Sequence, residues 1–105
     1  MEFEWLYRIG NDRTERFFPE REEAFEKLLE LVDMALKYHR PVTFVDKNSD
    51  EHEVTSRSHV KDEGYVRIVW KDESTQKLFI IKSLLWTTVT KDRNITKERT
   101  GDENV

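Results

Sequence analysis

The stretch Pro19–His39, PEREEAFEKLLELVDMALKYH, decides the fold class of this chain. At 100° per residue, Phe25, Leu28, Leu29, Val32, Ala35, Leu36 and His39 fall on one stripe. Ala24, Leu31 and Tyr38 widen that stripe to roughly half the circumference, broad for a surface helix. The opposite side carries Glu22, Glu23, Glu26, Glu30, Asp33, Lys37 and Arg40, with Glu23–Lys27 and Asp33–Lys37 at the stabilising i,i+4 spacing. Pro19 suits a first-turn position, where its missing N–H costs little. Glu20, Glu22 and Glu23 complement the positive helix end, and Lys37, His39 and Arg40 the negative one. Pro41 then disfavours helical geometry at Arg40 and stops the element. The spacing predicts one long amphipathic helix able to cover a sheet.

On its N-terminal side, EFEWLYRI (residues 2–9) alternates, with Phe3, Trp5, Tyr7 and Ile9 on one face and Glu2, Glu4, Leu6 and Arg8 on the other. That is the pattern of a half-buried strand. Gly10-Asn11-Asp12 has turn chemistry, and Thr14–Phe18 can return as a second strand, so a β-hairpin is expected to lead into the helix.

On its C-terminal side several short strands follow. Pro41–Val45 reads as a strand, Asp46–Glu51 as a polar turn, and Glu53–Val60 as an edge-like or bent strand. Lys61-Asp62-Glu63-Gly64 suggests a type I turn closed by a glycine bulge. Tyr65–Trp70 is the strongest strand signal, and after a turn at Lys71–Gln76 the run Lys77–Lys82 is the next strand. Ser83-Leu84-Leu85 suggests a brief helical turn before a last strand at Trp86–Thr90. A glycine bulge at Gly64 would set Arg57 across from Arg67 and His59 across from Tyr65. It would also align Trp70, Ile68 and Val66 with Leu78, Ile80 and Lys82. The expected fold is α+β: an N-terminal hairpin, one long helix, then a bent antiparallel sheet or small barrel of about five strands. Residues 1–90 read as a single domain. Residues 91–105, in which only Ile95 and Val105 are apolar, read as a disordered charged tail.

Composition narrows the function classes. Charged residues (38%) outnumber apolar ones (36%), so the core must be economical, while 11% aromatics argue against global disorder. With no cysteine, disulfide frameworks and thiolate metal sites are excluded, and a reducing compartment fits. No apolar run approaches the ~20 residues of a membrane span, and the start lacks the basic region of a signal peptide. A cytoplasmic, soluble protein without a membrane partner is expected. The net charge of −4 divides unevenly, with 14 acids and 8 bases in residues 1–53 and 8 acids and 10 bases in residues 54–105. The global balance opposes non-specific nucleic-acid binding but leaves room for a local basic patch.

Three segments carry a likeness to known proteins: ALKYHRPVTF (Ala35–Phe44), YVRIVW (Tyr65–Trp70) and FIIKSLLWTTV (Phe79–Val89). A helix running into short strands, with a brief turn before the last, resembles the Sm-like small-barrel class. Within that class it resembles the YolD-like proteins of Gram-positive bacteria and their phages. The likeness spans roughly residues 22–90 and leaves the N-terminal hairpin outside it. WYL ligand-sensing domains have a similar layout. The resemblance implies an accessory protein of bacterial or phage origin, with no active-site residues to carry over.

Catalytic and metal chemistry finds no foothold in the sequence. Asp46, Asn48 and Asp50 have the spacing that opens a calcium loop, but Glu51 stands where the loop needs glycine and Arg57 where it needs glutamate. His39, His52 and His59 have no metal-ligand spacing, and three glycines do not supply a phosphate-cradling loop. No enzyme, cofactor or metal is expected. Two surfaces stand out as candidates. Arg57, His59, Tyr65 and Arg67 would form a basic-aromatic patch for nucleic-acid phosphates or protein carboxylates. Leu31, Met34 and Tyr38 lie on the helix flank, where Met34 is hard to bury within one domain, and suggest a partner or homodimer face. A protein-interaction module is the leading reading. A nucleic-acid-binding small barrel and a ligand-sensing domain are the alternatives.

Overall fold

The computed structural model describes residues 2–14, 16–89 and 95–104. In chain order the elements are β1 (Glu2–Gly10), α1 (Arg21–Lys37), β2 (Val42–Val45), β3 (Glu51–Glu53), a 3-10 turn (Arg57–His59), β4 (Tyr65–Val69), β5 (Thr75–Val89) and β6 (Ile95–Asn104). The fold is α+β, and every strand pairing is antiparallel, in the order β1–β5–β4–β2–β3 with β6 added to β5. The sheet stays open, with β1 and β3 at the ends of this path, rather than closing into a small barrel.

The helix covers one face of the sheet. Ala24, Leu28, Leu29, Val32 and Ala35 are buried against Ile9, Val42, Phe44, Val66, Ile68, Leu78 and Ile80, with Phe25, Leu31 and Leu36 partly buried beside them. Burying a large side chain of this kind contributes about 1.5–3 kcal/mol before ordering entropy is subtracted. The helix is shorter than its sequence pattern at both ends. Glu20 is the N-cap, so Pro19 lies one residue outside the helix rather than in its first turn. At the other end His39 adopts a left-handed conformation, φ 57°. Its N–H donates to the Leu36 carbonyl (3.0 Å) and the Arg40 N–H to that of Ala35 (3.0 Å). These two bonds are the Schellman closure of a helix end, here with histidine where glycine is usual. Of the expected i,i+4 pairs, Lys27 instead reaches Glu30 (3.8 Å), and Asp33 is taken by Arg57.

The N-terminal hairpin does not form. Strand β1 pairs over its whole length with β5, from Glu2–Thr87 to Gly10–Phe79. The expected return strand contributes one bridge, in which Tyr7 and Phe18 exchange N–H···O bonds of 2.8 and 2.7 Å. A nine-residue ladder on the apolar strand β5 satisfies far more backbone groups than Thr14–Phe18 could. At the last pair of that ladder the Phe79 ring lies over Gly10, where an added Cβ would stand 2.5 Å from the ring. Glycine therefore lets β1 and β5 stay paired beneath an aromatic ring.

The expected strand Glu53–Val60 is also replaced. Only Glu51–Glu53 pairs with β2, and Arg57–His59 turn as a 3-10 segment. Val54 and Val60 are buried, and of the polar residues between them Thr55 bonds His59 and Ser58 bonds Ser56, while Arg57 reaches α1. The Ser56 hydroxyl accepts from the Ser58 N–H (3.4 Å), and His59 Nδ1 accepts from the Thr55 N–H (3.2 Å). Such local side-chain bonds compete with a sheet ladder. Consequently β4 lies between β2 and β5, and Arg67 stands opposite Thr43 and Lys77, not opposite Arg57. The β4–β5 register differs from the expected one by four residues, with Val66 opposite Leu78 and Ile68 opposite Gln76. The side-chain faces are nevertheless the expected ones, because four is an even shift.

Two hairpin loops share one design. In 46–50 the Ser49 N–H donates to the Asp46 carbonyl (2.9 Å) and the Asp46 N–H to that of Asp50 (3.0 Å). In 70–74 Glu73 and Trp70 repeat the arrangement, each bond 2.9 Å long. Ser49 and Glu73 both have φ 67°, so each loop is a three-residue turn ending in a left-handed residue. Gly64, at φ 106°, lies just beyond the β2–β4 ladder.

Strand β5 runs unbroken through Ser83–Leu85, where a helical turn was expected. Its buried face changes along the way: Leu78 and Ile80 face the helix, then Ile81, Ser83 and Leu85 are buried on the other side. Beyond Phe79 the strand leaves β4 and takes β1 and β6 as neighbours. On β1 the same departure from the helix leaves Ile9 buried but Trp5 and Phe3 44% and 56% exposed. Of the expected disordered tail, Ile95–Asn104 form β6 along β5, and residues 91–94 and 105 lie outside the described residues.

Candidate interaction groove

Leu31, Met34 and Tyr38 recur at helical spacing on the C-terminal half of α1. Leu31 is partly buried on the core, while Met34 and Tyr38 are 43% and 59% exposed. Facing them is Trp70, which directly follows β4 and is itself half-buried. Between the helix flank and Trp70 lies a cavity of about 650 Å³, extended by the β4–β5 loop and the turn after β1. Its apolar floor and polar rim have the size and make-up typical of ligand and side-chain pockets, about 300–1,000 Å³.

The floor is held by a relay of hydrogen bonds. The Trp70 indole N–H donates to Gln76 Oε1 (2.8 Å), and the Gln76 amide donates to the Asn11 carbonyl (2.7 Å). Asn11 in turn donates through its side chain to the Lys77 carbonyl (2.8 Å). Arg40 Nε donates to the Val69 carbonyl (2.9 Å), joining the helix end to the end of β4. Trp70 is therefore oriented from three separate segments. Partners of a buried indole N–H are normally required, and here they also set the ring's position.

The other candidate patch is divided by the fold. Arg57 Nε donates to Asp33 (2.9 Å) and Nη1 to Glu26 (2.9 Å), pinning the 3-10 turn to α1. The hydrogen bonds with Asp33 and then Glu26 push the Arg57 guanidinium pKa up, so it stays charged at any accessible pH. His59 points its Nδ1 at Thr55 on the same turn. Tyr65 and Arg67 alternate with the buried Val66 and Ile68 and so project from the opposite sheet face. There Arg67 bonds Glu51, and the Lys77 ammonium sits 4.2 Å from the Tyr65 ring centre and 5.6 Å from that of Phe79. The four residues do not converge on one surface.

Asp46, Asn48 and Asp50 close the β2–β3 turn. The Asp46 carboxylate accepts from His52 (2.8 Å), Asn48 N–H (2.8 Å) and Asp50 N–H (3.0 Å). The His52 bond, followed by these backbone bonds, holds the Asp46 carboxyl below its ordinary pKa. No group of three or more potential metal-ligating side chains occurs among the described residues. No helix among them is long and apolar enough to cross a membrane.

The helix side of the groove follows from sequence periodicity. Trp70 was missed as its opposite wall, because the expected register placed it level with Leu78 inside a longer hairpin. The signal available was the pair of turn-forming carboxylates, Asp46 and Asp72, each two residues before a backbone N–H it could cap. Compared with known proteins, the chain matches no protein-family model, no curated protein and no solved structure.

Proposed function

We propose that this chain is a non-enzymatic protein-interaction module, and that the groove between α1 and Trp70 receives an apolar side chain of its partner. The supporting observation is the pairing of two exposed large residues, Met34 and Tyr38, with a positioned Trp70 across one cavity. Tyrosine and tryptophan dominate binding hot spots, and methionine adapts its shape to what it meets. A rigid indole opposite a pliable methionine favours insertion of a single bulky anchor.

The test is selection of a random displayed-peptide library on the immobilised chain. Binders are expected to carry a large apolar residue and to lose at least roughly tenfold in affinity for Met34→Glu and for Tyr38→Ala. Binders that hold both variants as tightly as the original would move the interaction elsewhere and sink the reading. Light scattering separates a homodimer from a heterologous partner: a mass that halves in Met34→Glu identifies the second copy as the occupant.

A further inference from the structure

The groove is lined by charge as well as apolar surface: Arg13, Arg40 and Lys71 of one sign, Asp12 and Asp72 of the other. The two signs are not equally available. Asp12 accepts from the Thr14 hydroxyl (2.7 Å) and N–H (3.4 Å), and Asp72 accepts from the Ser74 N–H (3.0 Å) and hydroxyl. Each carboxylate is thus engaged in closing its own turn. The Ser74 bonds, with Arg13 nearby, also hold the Asp72 carboxyl below its ordinary pKa. Arg40 gives Nε to Val69. Arg13 and Lys71 make no hydrogen bond or ion pair among the described residues.

Resting on the groove reading above, we infer that the partner segment is an acidic peptide. One bulky apolar side chain seats among Met34, Tyr38 and Trp70, and flanking carboxylates reach Arg13 and Lys71. Charge-assisted bonds from carboxylates to arginine and lysine are the stronger kind, and neither cation gives a hydrogen bond elsewhere among the described residues. The chain's net charge of −4 does not oppose this at contact. Beyond about 8 Å at physiological salt that net charge is screened, and nearer the local cations decide.

Two probes test it: a peptide with one phenylalanine flanked on both sides by glutamates, and its counterpart flanked by lysines. Nitrogen-15 NMR follows the Trp70 indole resonance, assigned by its loss in Trp70→Phe. The glutamate peptide is expected to move that resonance and to bind at least roughly tenfold more tightly than the lysine peptide. Its advantage should shrink as salt is raised. An Arg13→Glu/Lys71→Glu double variant, altered only at exposed positions that give no hydrogen bond among the described residues, should reverse the preference. Equal binding of both peptides at Trp70 would overturn the acidic inference while leaving the groove reading intact, as would a preference for lysine. If neither peptide moves the Trp70 resonance, the groove reading itself fails.

Discussion

Replacing Gly64 by alanine should destabilise the fold far more than its exposed position suggests. Gly64 follows the Lys61–Glu63 turn and holds φ at 106°, a backbone region that side-chain-bearing residues rarely enter. An alanine forced there costs about 1–3 kcal/mol in backbone strain. The new Cβ would also lie 2.3 Å from the Val45 carbonyl oxygen and 3.1 Å from the Asp46 Cα. Those are backbone atoms, so relief requires moving the end of β2 at the point where Val45 pairs with Tyr65. Overpacking of this kind adds about 1–3 kcal/mol. Alanine's smaller unfolded-state entropy returns about 0.4–1 kcal/mol. The middle of these ranges gives a net loss of about 3 kcal/mol, a large part of the 5–15 kcal/mol of a typical domain. Urea unfolding followed by tryptophan fluorescence measures it directly, and the melting temperature should fall by roughly 10–25 °C. Glu63→Ala is the control, because it loses only an exposed ion pair with Lys47 at 3.4 Å, worth about 0–1 kcal/mol. A Gly64→Ala variant that loses less than about 1 kcal/mol would refute the steric argument, since strain and overpacking together outweigh the entropy return by at least that much.

The same backbone logic reverses sign at the helix end. His39→Gly should stabilise the protein by about 0.5–1 kcal/mol, because a left-handed residue with a Cβ costs about 1–2 kcal/mol and glycine's extra unfolded entropy offsets only part. A thermal melt that fails to rise would show that the exposed imidazole makes a compensating contact. Acid titration should separate Asp46 from Asp46→Asn. A carboxyl with a depressed folded pKa stabilises fully above its unfolded value and loses that contribution as pH falls through the folded one. Circular dichroism should therefore show the original protein losing stability relative to the asparagine variant as pH falls below about 4. A difference that stays flat over that range would mean the Asp46–His52 contact contributes nothing to folding.

Local sequence determined a great deal about this protein. The stripe from Ala24 to Leu36 specifies an amphipathic helix, because positions three and four apart must share a face. Alternation in Phe3–Ile9 and Tyr65–Val69 specifies extended chain; the inward residues Val66 and Ile68 of β4 are the expected ones, whereas on β1 only Ile9 of the expected face is fully buried, Phe3 and Trp5 are exposed, and Leu6 is buried on the other face. Met34 and Tyr38 were legible as surplus apolar residues for the same reason: no single-domain packing of that helix buries both sides. Partner choice was decided only in three dimensions. Which strand pairs with β1 depends on competition among all extended segments, and β5 prevails over Thr14–Phe18 through a nine-residue ladder that periodicity cannot reveal. A hairpin register depends on its turn, and two turns here close through a non-glycine left-handed residue, Ser49 and Glu73, where the sequence signal pointed to Gly64. That displaced β4 from the 53–60 segment, separated Arg57 from Arg67, and gave each arginine its own carboxylate. It also carried Trp70 to the flank of α1. Side-chain identity along one helix made half of the groove visible in the sequence. The other half exists because backbone hydrogen bonding chose a sheet order that no local pattern encodes.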